Sequence, residues 1–377
     1  MSYAITEVPI PEPGAVEEPQ AKQFRAVSRL CRDVFIEGQG ADAHIQSDRS
    51  QAAHARNTDG NSWFAAAAVA AGAVVGFAWG NAHFDGSPEF AWFQVGVDPA
   101  WRRRGLGREL WAMVKDRARA EGAKTLLVDV PCPLPAPGQP VLVPDDGHGA
   151  APADWPGVLF AQAMGLKFDY LELTSGLALP VPEPVLAQAE ADAAARSAGY
   201  SLVAWFGHVP DQWVEDFAGL EARLGADAPS GDIQFQVAPH TAQHMRHWED
   251  EAIAGLDPML GAGAIEQATG RMVATTWLNL PLDLPEGLTV AARQNTTLVA
   301  PAHRGHRLGL AVKVAALRHL AGLTTQQVAD VVGRPLPPRV DRVITQNAAA
   351  NDSMWSINQR LGFRRSGIDL VWSTPLT

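Results

Sequence analysis

One stretch of this chain occurs twice. Val95-Gly96-Val97-Asp98-Pro99-Ala100-Trp101-Arg102-Arg103-Arg104-Gly105-Leu106-Gly107 is answered by Val299-Ala300-Pro301-Ala302-His303-Arg304-Gly305-His306-Arg307-Leu308-Gly309. Val97, Pro99, Ala100, Arg102, Leu106 and Gly107 each recur at one constant interval. Each copy follows an apolar run and opens an amphipathic one. A chain that repeats its most distinctive stretch in this way reads as two copies of one domain, and 377 residues suit two cores better than one. The stretch also has chemical content. A turn rich in glycine and arginine at a helix N-terminus presents backbone N–H groups and a positive dipole end, which suit a phosphate or pyrophosphate.

The pattern around the repeat predicts the elements. Phe24, Val27, Leu30, Cys31 and Val34 give a helix over 21–36 one apolar face. Residues 62–70 and 74–84 read as a strand pair turning at Gly72, and 90–97 as the strand before the loop. Leu106, Leu110, Met113 and Val114 then form a helical stripe. A buried-type strand over 125–130 is followed by a Pro/Gly-rich lid or insertion over 131–156, a short helix over 155–164 ending at Gly165, and closing strands over 167–179. Pro180-Val181-Pro182-Glu183-Pro184 is a stiff spacer. It divides the chain into one copy over 1–180 and another over 181–377. The second copy repeats the order, with a strand over 200–206, helices over 210–224 and 241–254, and a strand pair within 264–280. A strand over 288–299, a helix over 305–321, a strand over 340–345, a helix over 352–361 and a closing strand over 363–372 follow. Residues 323–333 have the look of a DNA-binding helix-turn-helix fragment, but they are isolated and acidic and are read as a loop. Mixed strands with a few packed helices make an α/β chain built on a mixed α+β sheet.

Composition narrows the function. A hydrophobic content of 47% and a charged content of 19% are globular values. No apolar run is long enough to span a membrane, and the N-terminus lacks a secretory pattern. Two cysteines, Cys31 and Cys132, give neither a disulfide framework nor a metal cluster, so a cytoplasmic protein without a metal is expected. The net charge of −11 argues against nucleic acid. Positive charge is instead concentrated in Arg102-Arg103-Arg104 and in His303, Arg304, His306, Arg307 and Lys313. An acidic surface elsewhere favours cationic substrates such as amines.

Arg102-x-x-Gly105-x-Gly107 is similar to the acyl-CoA pyrophosphate loop, Gln/Arg-x-x-Gly-x-Gly/Ala, of the GNAT N-acetyltransferase superfamily. The second copy resembles it with Arg307 in place of the first glycine. The whole is similar to a tandem GNAT chain in a mycothiol-synthase-like arrangement. The resemblance implies two GNAT domains that use acetyl-CoA, or another acyl-CoA, as co-substrate. Pantetheine would lie between splayed strands, against Val95 and Val97 in the first copy and Leu298 and Val299 in the second. Arg102, Arg103, Arg104, Gly105, Leu106 and Gly107 would cradle the pyrophosphate in one copy, and Arg304, Gly305, His306, Arg307, Leu308 and Gly309 in the other. Glycine would let the backbone approach the ligand, while Arg307 loses that clearance and adds a cation.

The resemblance also covers the family's downstream motif, present as Asn351, Met354, Trp355, Asn358 and Gly362-Phe363. Asn351 would hydrogen-bond pantetheine. Asn358 stands where many relatives carry a tyrosine that protonates the leaving thiolate; it can orient the sulfur but has no proton to give. The first copy has Ala161 and Asp154 at these two places. Neither copy carries the full set, and the second is the better candidate for chemistry. For a general base, Glu249 and Glu251 are candidates, with His244 and His247 nearby and Glu89 in the first copy. Trp205, Trp277, Trp355 and Trp372 read as packing. The expected activity is transfer of an acyl group to an amine of a small molecule by a monomer or homodimer. The alternative is an acyl-CoA-binding pseudo-enzyme with a sensing role.

Overall fold

The computed structural model describes residues 2–56, 62–82, 88–223, 233 and 240–376. Phe84 and Leu224, the expected ends of a strand and a helix, lie outside them. The first half runs β1 (Ala4–Glu7), α1 (Lys22–Gln39), α2 (Asp48–Arg56), β2 (Ser62–Ala70), β3 (Ala73–Ala82) and β4 (Phe90–Val97). It continues through α3 (Leu106–Ala120), β5 (Thr125–Cys132), the short pair β6 (Val141–Leu142) and β7 (Ala151–Pro152), α4 (Pro156–Ala163) and β8 (Lys167–Ala178). The second half runs α5 (Glu183–Ala194), β9 (Tyr200–Phe206), α6 (Val214–Glu221), α7 (Ala242–Ala254), β10 (Met259–Glu266), β11 (Met272–Asn279) and β12 (Ala291–Val299). It ends with α8 (Leu308–Gly322), α9 (Thr325–Val332), β13 (Arg342–Ala348), α10 (Asp352–Leu361) and β14 (Arg364–Pro375).

Twelve strands form one sheet in the order β1-β2-β3-β4-β5-β14-β8-β13-β12-β11-β10-β9. The closing strands are therefore exchanged between halves. β14 inserts between β5 and β8, antiparallel to both, and β8 pairs with β13. Each half supplies six strands and completes its sheet with the last strand of the other. The expectation that 167–179 holds several strands of the first copy is thus corrected to one long strand shared by both. Trp372 of β14 stacks on Phe168 of β8, with centroids 4.6 Å apart, and is 1% exposed.

Helices cover both faces of the sheet, which explains why β2 lacks the alternation of a half-solvated strand. Ala65 and Ala67 pack with Phe24 and Val27 of α1, while Phe64, Ala66 and Ala68 share a core with Leu106 and Leu110 of α3. Two helices went unforeseen. α5 begins inside the proline spacer, with Pro184 in its first turn where a missing N–H costs nothing. Glu183 and Glu190 on its exposed side pair with Arg318 of α8. The segment read as a loop is α9, started by a capping box of Thr324 and Gln327 and stopped at Gly333 in the left-handed region.

Exchange has a consequence for a cut chain. A fragment ending at residue 180 would leave β5 and β8 without the strand between them, two unpaired edges in the middle of a sheet. Expressed alone it should be aggregated or lack a cooperative thermal transition, and co-expression with 181–377 should restore one. A soluble, cooperatively folding 1–180 fragment would contradict the exchanged arrangement.

Candidate functional site

Both repeated loops have one backbone design. Arg102 Nε donates to the Val97 carbonyl at 3.0 Å, and Arg304 Nε donates to the Val299 carbonyl at 3.2 Å. Two positions in each loop are left-handed, Arg103 and Gly105 in the first, Gly305 and Arg307 in the second. Glycine and arginine have swapped places between copies. A Cβ on Gly105 or Gly305 would meet no protein atom within 4 Å, and within the protein these glycines serve the left-handed conformation of the loop. Arg307 accepts the left-handed region, with a φ of 56°, at a cost of about 1 kcal/mol for a residue with a Cβ. Its guanidinium donates to the Asp192 carbonyl at 2.7 Å. The expected extra phosphate cation is thus held against α5.

The two copies differ beyond the loop. β4 and β5 pair only through Phe90–Trp92 and Thr125–Leu127, and β12 and β13 only through 291–294 and 342–345; both pairs then splay. In the second half β12 also bulges. Its register against β11 slips so that Asn295 and Thr296 lie opposite Trp277, whereas β3 and β4 pair without a break. A bulge frees backbone from the ladder and re-aims side chains. Here it borders a cleft of about 1000 Å³ lined by Arg293 to Val299 of β12, Ile344 to Ala348 of β13, the loop 303–310 and α10. In the first half Arg102 is paired with Glu37 of α1. Neither cavity described here is lined by Val95, Val97 or the loop 102–107.

A second cavity, of about 630 Å³, lies between the halves. Trp63, Trp79, Trp92, Trp248 and Trp277 line it together with Asp129, Glu172, Glu221, Glu251, Asp257 and Asp369. It meets the β12–β13 cleft at His44, Glu172, Arg293, Asn295, Thr296 and Gln346, which line both. Some of the acids have partners with ring or guanidinium nitrogens. Asp257 pairs with Arg293 and Glu251 with His54. Asp129, Glu172, Glu221 and Asp369 have no basic partner among the described residues. Burial, and then the neighbouring Asp369 charge, pushes the Glu172 carboxyl up to about 7. Burial likewise takes Glu221 to about 7 against the hydrogen bond from Thr296, and Asp369 to about 6 against those from Gln39 and Gln346. Asp129 is raised by burial first, then by Asp369 and Glu172. His44, buried beside Arg293 with its Nδ1 3.1 Å from Gln346 Oε1, is held neutral, its pKa lowered to about 4.

The sequence-predicted residues divide. Leu298, Val299, Arg304, Gly305, Arg307, Leu308, Gly309 and Asn351 line the β12–β13 cleft. Asn351 Oδ1 caps α10 by accepting from Met354 N at 3.2 Å, which leaves its amide N–H groups for the cleft. His306 is turned outward, its ring nitrogen 3.2 Å from the Arg196 carbonyl. Lys313 is 2% exposed, against the ring of Phe363, and adds nothing to a positive surface; burial lowers it to about 7. Asn358 does not line the cleft. It is fully buried and donates to Asn347 Oδ1 at 2.9 Å, tying α10 to β13. Glu249 also lines neither cavity, since its two oxygens accept from Val209 N and Arg246, both at 2.6 Å. Glu251 does line the inter-half cavity. Trp205 and Trp372 are core, whereas Trp277 lines the cavity. Glu172, Glu221, Asp129 and Asp369 were missed. Glu172 and Asp369 share one signal, each standing seven residues after its copy's helix-ending glycine, Gly165 or Gly362.

The raised carboxylates bind protons more tightly in the folded chain than in the unfolded one. Their contribution to stability therefore falls as pH rises from about 4 to 7. Asp369→Asn removes the charge common to the cluster. In thermal unfolding, its Tm relative to the parent should improve steadily between pH 4 and pH 7.5. A difference that is flat or worsens with pH would contradict the clustered-carboxylate reading.

Residues 27–133 match the acetyltransferase (GNAT) family. No curated protein matches the chain significantly. Among solved structures, a tandem GNAT protein from the clavulanic acid biosynthesis pathway is 23% identical, with a TM-score of 0.69 over 100% of this chain and 99% of that one. A GCN5-related N-acetyltransferase from Sphaerobacter thermophilus is 14% identical, with a TM-score of 0.56 over 99% of this chain and 96% of the other. These two share the fold over the full length. The acetyltransferase (GNAT) family is thus matched within the first half, and the whole chain shares the fold of a tandem GNAT protein, in keeping with the repeated loops and splayed strands.

Proposed function

We propose that the chain is an acyl-CoA-dependent N-acyltransferase with one working site, in which the second half holds the donor and both halves enclose a small-molecule amine. One observation carries this reading: the β12–β13 cleft and the inter-half cavity meet at Glu172. The cleft has the features a CoA thioester needs. Past Gln294 and Thr345 the facing backbones of β12 and β13 are unpaired, and pantetheine amides can pair with them. The N-terminus of α8 faces one end of the cleft and favours pyrophosphate there. The repeats are taken as 1–180 and 181–377, with their closing strands crossed.

An amine enters as an ammonium ion and must lose a proton before its nitrogen can attack a thioester carbon. Glu172, at the meeting of the two cavities, is the group we assign to accept it. A carboxyl held at about 7 is ionised in half of the molecules near neutrality and is basic enough to take the proton. Thr296 and Asn295, presented by the bulge, line the same meeting point. Polar groups there can orient the carbonyl and the amine, and correct placement supplies much of the rate. The tyrosine of many relatives has no counterpart, and the thiolate, a good leaving group, can depart without one.

Purified protein given acetyl-CoA and primary amines should release CoA, with kcat/KM rising with pH through a limb near 7. Glu172→Gln should bind acetyl-CoA as the parent does while kcat/KM falls about 10²–10⁴-fold and the limb disappears. A variant with parental rate and pH profile would remove Glu172 from the chemistry. Absence of acetyl-CoA binding to the parent would remove the acyltransferase reading itself.

A further inference from the structure

Three carboxylates form a row across the strands that the two halves exchange. Asp369 of β14 sits directly opposite Glu172 of β8 and two residues off the pairing partner of Asp129 on β5, so all three side chains project from one face. All three line the inter-half cavity, and only Glu172 also lines the donor cleft. Like charges directly across a strand pair oppose one another. An independent observation shows that the row is incomplete as it stands. Asp369 is 4% exposed, and while its Oδ2 accepts from Gln39 and Gln346, its Oδ1 has no partner. A buried carboxylate oxygen left unpaired beside two further carboxylates calls for a cation. Both arginines of the cavity are committed, Arg32 to Asp48 and Arg293 to Asp257. At the far end of the row Trp92 Nε1 donates to Asp129 Oδ2 at 2.7 Å, which fixes that carboxylate and sets an aromatic ring beside it.

We infer that the acceptor is a small dicationic amine, with one ammonium group anchored at Asp129 and Asp369 and the other presented at Glu172 for acylation. Two strand spacings and a stagger of two residues separate Asp129 from Glu172, about 12 Å along the diagonal row, and points midway between neighbouring carboxylates are then about 6 Å apart, which matches the ends of an extended alkyl diamine. One carboxylate serves each ammonium group, and Asp369 bridges them. A monocation would leave the anchor end uncompensated, and an acceptor bearing its own carboxylate would be repelled. The row exists only because β14 lies between β5 and β8, so the site belongs to neither half alone. This inference rests on the acyltransferase reading above and adds the class of acceptor.

The test uses the full chain, with acetyl-CoA binding measured first by titration calorimetry so that the donor site is judged separately. CoA release is then compared for 1,4-diaminobutane and 1,5-diaminopentane against butylamine, pentylamine and glutamate. The expected result is a kcat/KM at least about tenfold higher for the diamines than for the monoamines, and none detectable for glutamate. Without acyl-CoA, 1,4-diaminobutane should raise the Tm of the parent at pH 8 and butylamine at the same concentration should not. In Asp129→Asn the diamine-to-monoamine ratio should fall about tenfold through KM. Equal use of monoamines and diamines, or no response to diamines by a protein that binds acetyl-CoA, would overturn the inference. If the variant fails to fold, the two measurements on the parent decide alone.

Discussion

The antiparallel pairing of β8 with β14 is the interaction on which everything else rests. These are the closing strands of the two repeats, and they meet with Glu172 opposite Asp369, the same position in each copy. A local two-fold relation therefore passes through the middle of the sheet. Two consequences follow. Each copy's sheet is finished only by the other, so the halves are bound by main-chain hydrogen bonds and by the buried Trp372–Phe168 stack. The acidic positions of the two copies, which would lie on separate surfaces of separate domains, are also brought side by side in one cavity. Buried carboxylates without basic partners are costly to a fold, and a chain that retains two of them, Glu221 and Asp369, with the half-buried Asp129 and Glu172 around one cavity has placed them where a cation would relieve the cost.

Within this shared frame the copies have diverged in the surroundings of the loop. Both keep the loop that turns from strand to helix, and both keep its two left-handed positions while exchanging which one is glycine. What separates them is the β12 bulge and the cleft beside it. The first half has the closer sequence motif, and it is the half that matches the family, but its loop arginine is paired with Glu37 and its β3–β4 ladder is unbroken. It contributes Asp129 of β5 and Glu172 of β8 to the lining of the inter-half cavity. The second half contributes the cleft. A loop motif describes how a helix begins; whether a thioester fits depends also on how two strands part.

The repeat, the mixed sheet, the loop positions and most helices were legible in the sequence because they rest on local periodicity and turn chemistry. The unforeseen helices show the limits of periodicity. α5 is rich in alanine and carries little amphipathic contrast, and α9 is announced by a cap more than by a stripe. The cleft residues of the second half were legible as well, from the motif ending at Gly309 and from Asn351. The acid cluster was not. Asp129, Glu172 and Asp369 come from strands far apart in the chain, and no spacing links them until the exchange of β8 and β14 sets their register. Residue type made Glu249 a candidate base but says nothing of where a side chain points; its oxygens accept from Val209 N and Arg246. Asn358 likewise matches a motif position, yet its amide is buried and donates to Asn347.

The central claim is that one site is assembled across both halves, with the donor in the second. A crystal structure of the chain with acetyl-CoA tests it most directly. The account predicts one acetyl-CoA per chain, its pyrophosphate at the loop 304–309, its pantetheine between β12 and β13, and its thioester facing Glu172. An acetyl-CoA held on the loop 102–107 with its thioester directed away from Glu172, and an empty cleft between β12 and β13, would contradict it.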